Sequence, residues 1–316
     1  MKIAILDANT LGDDISFSGI EELGELHVYQ NTSNEEIPQR LKGIDCVVLN
    51  KVKLTAEVLS KCQDLKLVCV TATGFDNVDI NYCKEHGIAV CNVKGYSTKS
   101  VALVTVSSAL SLLTHLHEYD RYVKSGRYSK GGVQNRLVPV YHELCGKVWG
   151  IVGLGDIGKA VAKVAESFGC KVMAFKKTPD DAYNCVDLST LMEKSDIISV
   201  HLPANSETVG IINREMIAKM KKNAILVNAA RGAVIDEEAI TDAILENRIS
   251  GFATDVYSTE PVPSGHCYEK LYGCDNVILT PHMAWGAYEA RVRLIDEICE
   301  NIKSFLGDGI RNRVEL

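Results

Sequence analysis

A chain of 316 residues with 46% hydrophobic and 24% charged side chains has ordinary globular composition and the length of about two domains, which excludes a disordered polymer. With 41 acidic against 34 basic residues the net charge is −7, the wrong sign for a nucleic-acid binder. Eleven cysteines, odd in number, without a C-x-x-C pair and mostly set in apolar runs, argue against a disulfide framework or a zinc site and for a reducing compartment.

Met1-Lys2 leads directly into an apolar run ended by Asp7, with no secretory signal, and a cytoplasmic location is expected. Strands rich in Val and Ile are predicted at residues 2–7, 25–30, 46–50, 65–72 and 88–92, with helical spacing between them at 55–62 and 78–86. Strand, helix, strand in this rhythm gives a parallel sheet with helices on both faces. After residue 97 the rhythm breaks. Ser100 to His117 carries no charged side chain and is long enough to raise the question of a membrane span, but six Ser or Thr and two His make it too polar. A buried helix is predicted there, then a polar helix at 118–125 and a Gly-rich loop at 126–132; no membrane partner is expected. The alternation resumes with strands at 147–152, 171–175, 197–201, 224–228, 251–255 and 277–280, and a last helix covers 288–305. Two such series predict two α/β domains with a boundary near residue 97.

In the second series, Val148 to Val152 runs into Gly153-Leu154-Gly155-Asp156-Ile157-Gly158, a G-x-G-x-x-G pattern followed by apolar helical spacing. The first glycine suits a tight turn, the second a close backbone approach to a pyrophosphate, and the third the packing of helix on strand, while the helix N-terminus offers N–H groups to the phosphates. A dinucleotide cofactor is therefore expected. About 20 residues on, an acid normally binds the adenosine ribose. Lys176-Lys177-Thr178 stand here instead. Two ammonium groups and a hydroxyl suit a 2′-phosphate, so NADP is favoured, with NAD held through other groups as the alternative.

Three later strands end at residues with chemical capability: Arg231 after 224–228, Asp255 with Glu260 after 251–255, and His282 after 277–280. Ligands of open parallel sheets bind at the carboxyl ends of the strands, so a cation, an acid and an imidazole are expected beside the cofactor, as reversible carbonyl reduction requires. No metal is expected.

These motifs, Gly153 to Gly158, His201-Leu202-Pro203, Asn228-Ala229-Ala230-Arg231-Gly232, Asp255-Val256-Tyr257 with Glu260-Pro261, and Thr280-Pro281-His282, resemble the series of the D-2-hydroxyacid dehydrogenases in order and over nearly the whole chain. Asn50-Lys51, the run from Ala72 to Asp79 and Gly95-Tyr96-Ser97-Thr98 resemble the glycerate dehydrogenase or hydroxypyruvate reductase branch. The resemblance implies a Rossmann-type cofactor domain, residues 98–286, inserted into a flavodoxin-like substrate domain of residues 1–97 and 287–316, the two doubly wound domains flanking a cleft. It implies that Arg231 grips the substrate carboxylate and polarises the carbonyl, that His282 donates a proton as hydride arrives, and that Glu260 orients the imidazole and stabilises its protonated form. Asp255 matches the position that contacts the nicotinamide carboxamide, and Gly74 and Phe75 match a loop whose N–H groups hold the carboxylate. Lys51 joins them as a further substrate contact, and His201, Pro203, Thr208 and Ala229 as cofactor contacts. Reduction of hydroxypyruvate or glyoxylate with NAD(P)H is expected; a branched or aromatic 2-oxoacid is the alternative, and a dinucleotide-sensing corepressor without turnover the more distant one. A homodimer through the cofactor domains, with the uncharged helix at 100–117 as its buried element, is also implied. Lys176, where the family carries an acid, and Leu103-Val104, where the branch carries polar residues, depart from the pattern.

Overall fold

The computed structural model describes residues 1–178 and 180–316. Contacts within it divide into two compact units, Met1–Ser97 with Gly286–Leu316, and Thr98–Trp285. Both are parallel α/β sheets, so the doubly wound class read from the strand rhythm is what the backbone adopts.

The first unit holds β1 (Lys2–Ile5), β2 (Glu25–Val28), β3 (Cys46–Leu49), β4 (Leu67–Val70) and β5 (Ala89–Cys91) in the order 2-1-3-4-5, the flavodoxin-like arrangement. The runs Cys-Val-Val-Leu of β3 and Leu-Val-Cys-Val of β4 are buried on both faces, which is why they read as unbroken apolar stretches. Short helices start where a side chain takes up a free N–H: Thr55 accepts from Val58 and Asp79 from Tyr82. The final helix, Tyr288–Leu306, packs on β4 and on the helix Ser18–Glu21 and belongs to this unit.

The second unit holds β6 (Val148–Val152), β7 (Lys171–Phe175), β8 (Asn184–Cys185), β9 (Ile197–Val200), β10 (Ile225–Asn228), β11 (Gly251–Thr254) and β12 (Val277–Leu279). Their order, 12-11-10-9-6-7-8, is the Rossmann order with one strand added at the edge. Asp187, Asn213 and Asp236 cap the helices that follow them.

Two sequence expectations need correction. The uncharged helix spans Thr98–Leu113 and stops at His115, whose backbone is left-handed (φ 51°); the polar helix begins at Leu116 and leaves at a bend of 62°. Val101, Ala102, Thr105, Val106, Ala109 and Leu112 are buried against the helix Asp156–Ser167 and strands β10 and β11 of the same unit. The scarcity of charge beyond Lys99 thus reflects a helix with one face in the core of its own unit, while Leu103 stays 65% exposed. The segment expected to be a Gly-rich loop contains the short helix Arg127–Lys130, started after Gly126 at φ 75°. Among the described residues no single helix is long and apolar enough to cross a membrane.

Candidate active site

In both sheets the strand order reverses at one point, and in doubly wound folds that point opens a crevice at the carboxyl ends of the strands. In the second unit the reversal lies between β6 and β9. Gly153 follows β6 at φ 101°, so close to the end of β9 that a Cβ there would stand 2.8 Å from the carbonyl carbon of His201. A Cβ on Gly158 would stand 2.3 Å from the Gly153 oxygen, which is the helix-on-strand contact expected of the third glycine. Gly155 caps the twelve-residue helix Asp156–Ser167 and nothing lies within 4 Å of where its Cβ would be; Asp156 beside it is exposed and Ile157 half-buried. The N-terminus of that helix is therefore open at Gly155, which leaves room for a pyrophosphate.

His201 adds a second sign of a polar guest. Its Nε2 lies 2.9 Å from Ser199 Oγ, which accepts the Trp149 indole N–H at 3.0 Å. Ser199 accepts from Trp149 and has its own hydroxyl proton to give to Nε2, an arrangement that puts the ring proton on Nδ1. Burial pushes the imidazole pKa down to about 3, so the ring is neutral. Nδ1 is buried and has no hydrogen-bond partner among the described residues. These residues fit a dinucleotide. The Thr208 hydroxyl donates to the Pro203 oxygen at 2.6 Å and accepts the Asn205 N–H at 2.9 Å, fixing the turn that carries Pro203.

Lys176, Lys177 and Thr178 follow β7, where a ribose is read in this fold. They are not the bare cationic pair that the local sequence suggests. Lys177 Nζ lies 2.8 Å from both carboxylate oxygens of Glu207, and Lys176 Nζ lies 3.8 Å from Asp180. Asp180 also accepts Lys159 at 2.8 Å, a bond that lowers its pKa.

The strands β10, β11 and β12 are adjacent and in register, Asn228 beside Thr254 and Thr254 beside Leu279. Arg231, the Asp255–Glu260 segment and His282 follow their three carboxyl ends. Asn228 shapes the first of these turns: Oδ1 accepts the Ala230 N–H at 3.1 Å and Nδ2 donates to the Arg231 oxygen at 3.0 Å. Ala229 and Arg231 are half-buried, and Arg231 Nη1 donates to the Ala230 oxygen at 2.7 Å. Asp255, 3% exposed, accepts the Thr280 hydroxyl at 2.6 Å and the N–H groups of Met283 and Ala284 at 2.8 Å each. That carboxylate braces the turn that presents His282 in the left-handed region at φ 53°, a conformation costly for a side chain with a Cβ. His282 Nδ1 lies 2.6 Å from Glu260 Oε2, while Glu260 Oε1 accepts the Tyr257 N–H at 3.1 Å. The Tyr257 hydroxyl donates to the Thr280 oxygen at 2.9 Å, and burial pushes its pKa up to about 12. An imidazole whose Nδ1–H faces a carboxylate keeps Nε2 for proton exchange with a ligand.

In the first unit the order reverses between β1 and β3. Lys51 follows β3, and Gly74 and Phe75 follow β4, its neighbour. The residue that shapes this edge, Asp7, escaped the sequence reading. Its carboxylate, 4% exposed, accepts the N–H groups of Asn50 at 2.9 Å, Lys51 at 2.6 Å and Val52 at 3.1 Å. Burial raises its pKa against the lowering effect of those three bonds. Asn77 Nδ2 donates to the oxygens of Asn50 at 3.1 Å and Val52 at 2.8 Å, which ties the Lys51 turn to the turn after β4. An acid closing an apolar strand is the only local sign of Asp7; Asn228 and Asn77 had a sign in the motifs that contain them. No group of three His, Cys, Asp or Glu side chains among the described residues is placed to hold a metal ion.

Residues 106–284 match the family model described as D-isomer specific 2-hydroxyacid dehydrogenase, NAD binding domain. The chain is 38% identical over 315 residues to a hydroxypyruvate reductase of Blautia hydrogenotrophica, covering 97% of each protein. It is 35% identical over 319 residues to a glycerate dehydrogenase of Methylorubrum extorquens, covering 99% of each. Among solved structures, an acyclic imino acid reductase in complex with NADPH and D-Arg aligns with a TM-score of 0.86 at 30% identity, over 99% of this chain and 100% of that one.

Proposed function

Because this chain belongs to the D-isomer specific 2-hydroxyacid dehydrogenases, in their glycerate dehydrogenase branch, and is an NAD(P)-dependent oxidoreductase, we propose that its reaction is the reduction of hydroxypyruvate or glyoxylate and the reverse oxidation of the D-2-hydroxyacid. The observation that carries the reading is the 2.6 Å contact of His282 Nδ1 with Glu260 at the ends of the strands next to the one that leads to Arg231. The bound nicotinamide cofactor supplies the hydride. His282 gives a proton from Nε2 to the carbonyl oxygen, and Glu260, accepting Nδ1–H, fixes the ring and stabilises its cationic form. Arg231 takes the substrate carboxylate through its planar guanidinium. Lys51 is assigned to the substrate, and the N–H groups at Gly74 and Phe75 to a carboxylate. The N-terminus at Gly155 takes the pyrophosphate, and His201 offers Nδ1–H to a polar group of the cofactor. Lys176, Lys177 and Thr178 favour NADPH over NADH, although Lys177 has to leave Glu207 to reach a 2′-phosphate.

Leu116, Val123, Val133, Leu137 and Val140 are exposed by half or more in one stretch of the second unit, a concentration of apolar surface that supports a homodimer through the cofactor units. Eleven free cysteines suit the cytoplasm.

The test is oxidation of NADPH or NADH in the presence of hydroxypyruvate, glyoxylate, and one branched and one aromatic 2-oxoacid. Hydroxypyruvate or glyoxylate should give the highest kcat/KM, and His282→Ala should lower kcat at least about a hundredfold with cofactor affinity little changed. Absence of turnover with every 2-oxoacid, or full turnover in His282→Ala, would overturn the reading.

A further inference from the structure

The turn that carries Glu260 is held from behind by a second acid and a second imidazole. Gly232, next to Arg231, lies so close to this turn that a Cβ on it would stand 2.0 Å from the carbonyl carbon of Tyr257 and 2.3 Å from the nitrogen of Ser258. The segment bearing Arg231 and the segment bearing Glu260 thus meet backbone to backbone. Glu237 closes the join. Its Oε1 accepts the Ser258 N–H at 2.9 Å and its Oε2 accepts the Ser258 hydroxyl. Glu237 occupies the first turn of the helix Glu237–Leu245, where the helix dipole favours an anion.

His266 completes the arrangement. Its Nε2 lies 3.2 Å from Glu237 Oε2, with the two side chains 9% and 11% exposed. The tautomer follows from the other nitrogen: Nδ1 accepts the Tyr268 N–H at 3.2 Å, so the ring proton sits on Nε2 and is donated to Glu237. The ring packs edge-on against Tyr268 and Tyr257, at centroid distances of 4.9 and 6.5 Å. From Ser258 the chain passes in two residues to Glu260, whose own Oε1 accepts the N–H of Tyr257. The chemistry proposed above uses neither Glu237 nor His266.

We propose that Glu237 and His266 are positioning residues for the reaction: they hold the Tyr257–Glu260 turn against Gly232, so that Glu260 meets His282 while Arg231 stays in place on the other side of the join. This rests on Arg231, Glu260 and His282 being the reacting set. A buried carboxylate that holds two donors of one residue and is itself held by a neutral imidazole leaves the turn a single conformation, and misplacing a catalytic group by about 1 Å costs on the order of a hundredfold in rate.

Two replacements of His266 separate this role from simple support. His266→Asn keeps an acceptor for the Tyr268 N–H and loses the donor to Glu237. His266→Gln keeps a donor in the place of Nε2 and loses that acceptor. In the full chain with NADPH and hydroxypyruvate, His266→Asn should lose at least about tenfold in kcat, with Tm and the NADPH dissociation constant near wild type. His266→Gln should recover most of that kcat, even at a lower Tm. Glu237→Gln should lose kcat as His266→Asn does. Wild-type kcat in both His266→Asn and Glu237→Gln, or losses in all three variants that simply follow Tm, would overturn the proposal. His282→Ala, run alongside, keeps the two levels apart: if it is inactive while the positioning variants are normal, only this proposal falls, and if it is active, the reading of the reacting set falls with it.

Discussion

Asp255→Asn is the substitution whose cost can be worked out most directly. The carboxylate takes three donors: the Thr280 hydroxyl and the Met283 N–H on Oδ1, and the Ala284 N–H on Oδ2. An amide in its best orientation keeps its oxygen for the first two and turns an NH2 toward the third. One charge-assisted hydrogen bond is lost, worth about 1.5–3 kcal/mol, and the N–H of Ala284, a residue 2% exposed, is left unpaired at about 1–3 kcal/mol. These two costs describe partly the same loss, so a destabilisation of about 2–4 kcal/mol is expected. The kinetic effect comes through His282, which sits at φ 53° only while the turn around it is fixed. A relaxed turn moves the imidazole away from Glu260, and kcat should fall roughly 10- to 100-fold. Urea unfolding followed by the fluorescence of Trp149 and Trp285 gives the first number, and steady-state reduction of hydroxypyruvate the second. Adding Thr280→Val to Asp255→Asn should cost less than Thr280→Val alone, because their bond is shared. Unchanged stability together with weaker cofactor binding would refute the reasoning, and would mean that Asp255 acts on the nicotinamide and not on the turn.

Arg231→Lys should leave kcat/KM at least about a hundredfold down, since an ammonium cannot reproduce the planar two-point grip; near-normal kcat/KM in the lysine variant would move the carboxylate site elsewhere. The wild-type enzyme should prefer NADPH over NADH in kcat/KM by up to about tenfold, less at high salt; Glu207→Gln should raise that preference by freeing Lys177, and Lys176→Asp should swing it toward NADH. A wild-type preference for NADH would mean that the two lysines serve only their acidic neighbours. Asp7→Asn should destabilise the protein by about 1–3 kcal/mol and raise KM for the 2-oxoacid more than it lowers kcat, because an amide cannot accept all three N–H groups of the Lys51 turn. Leu137→Asp combined with Val140→Asp should give a monomer by sedimentation if the exposed apolar stretch is the dimer surface, and unchanged association would assign that surface elsewhere.

What the sequence showed and what it hid divide along a physical line. Most strands were legible because parallel strands buried on both faces have no polar alternative; the partly buried β7 was still located to the residue at Lys171–Phe175, whereas the two-residue β8 went unread. Most of the others were read one or two residues too long at their carboxyl ends, running into Asp7, Asn50, His201, Asp255 and Thr280. At or just beyond those residues the chain leaves the ladder and N–H groups go to side chains: those of Asn50, Lys51 and Val52 to Asp7, and those of Met283 and Ala284 to Asp255. Hydrophobic pattern has no view of such bonds, which join residues 28 to 45 positions apart. The overrun strand ends therefore mark the places where fold gives way to site.

The lysines after β7 show the same limit acting on chemistry. Read locally, Lys176-Lys177-Thr178 is a cationic stretch from which an acid is missing, and a 2′-phosphate is its natural guest. The fold brings back the missing charge from two directions. Asp180 lies four positions along the chain, and Glu207 arrives from the segment after β9, thirty positions away, to hold Lys177 by both oxygens. If NADPH binds here as proposed, selectivity at this edge is a competition between its phosphate and two carboxylates for the same ammonium groups. The carboxylates are tethered and always present, whereas the phosphate brings more charge and more acceptor oxygens. An exposed ion pair such as Lys177 with Glu207 is among the weakest electrostatic contacts in a protein, so the phosphate should win, but by a smaller margin than bare lysines would give it. An NADPH preference well beyond tenfold would therefore need a contact other than these lysines, which is why the Glu207→Gln measurement decides more than the wild-type ratio does.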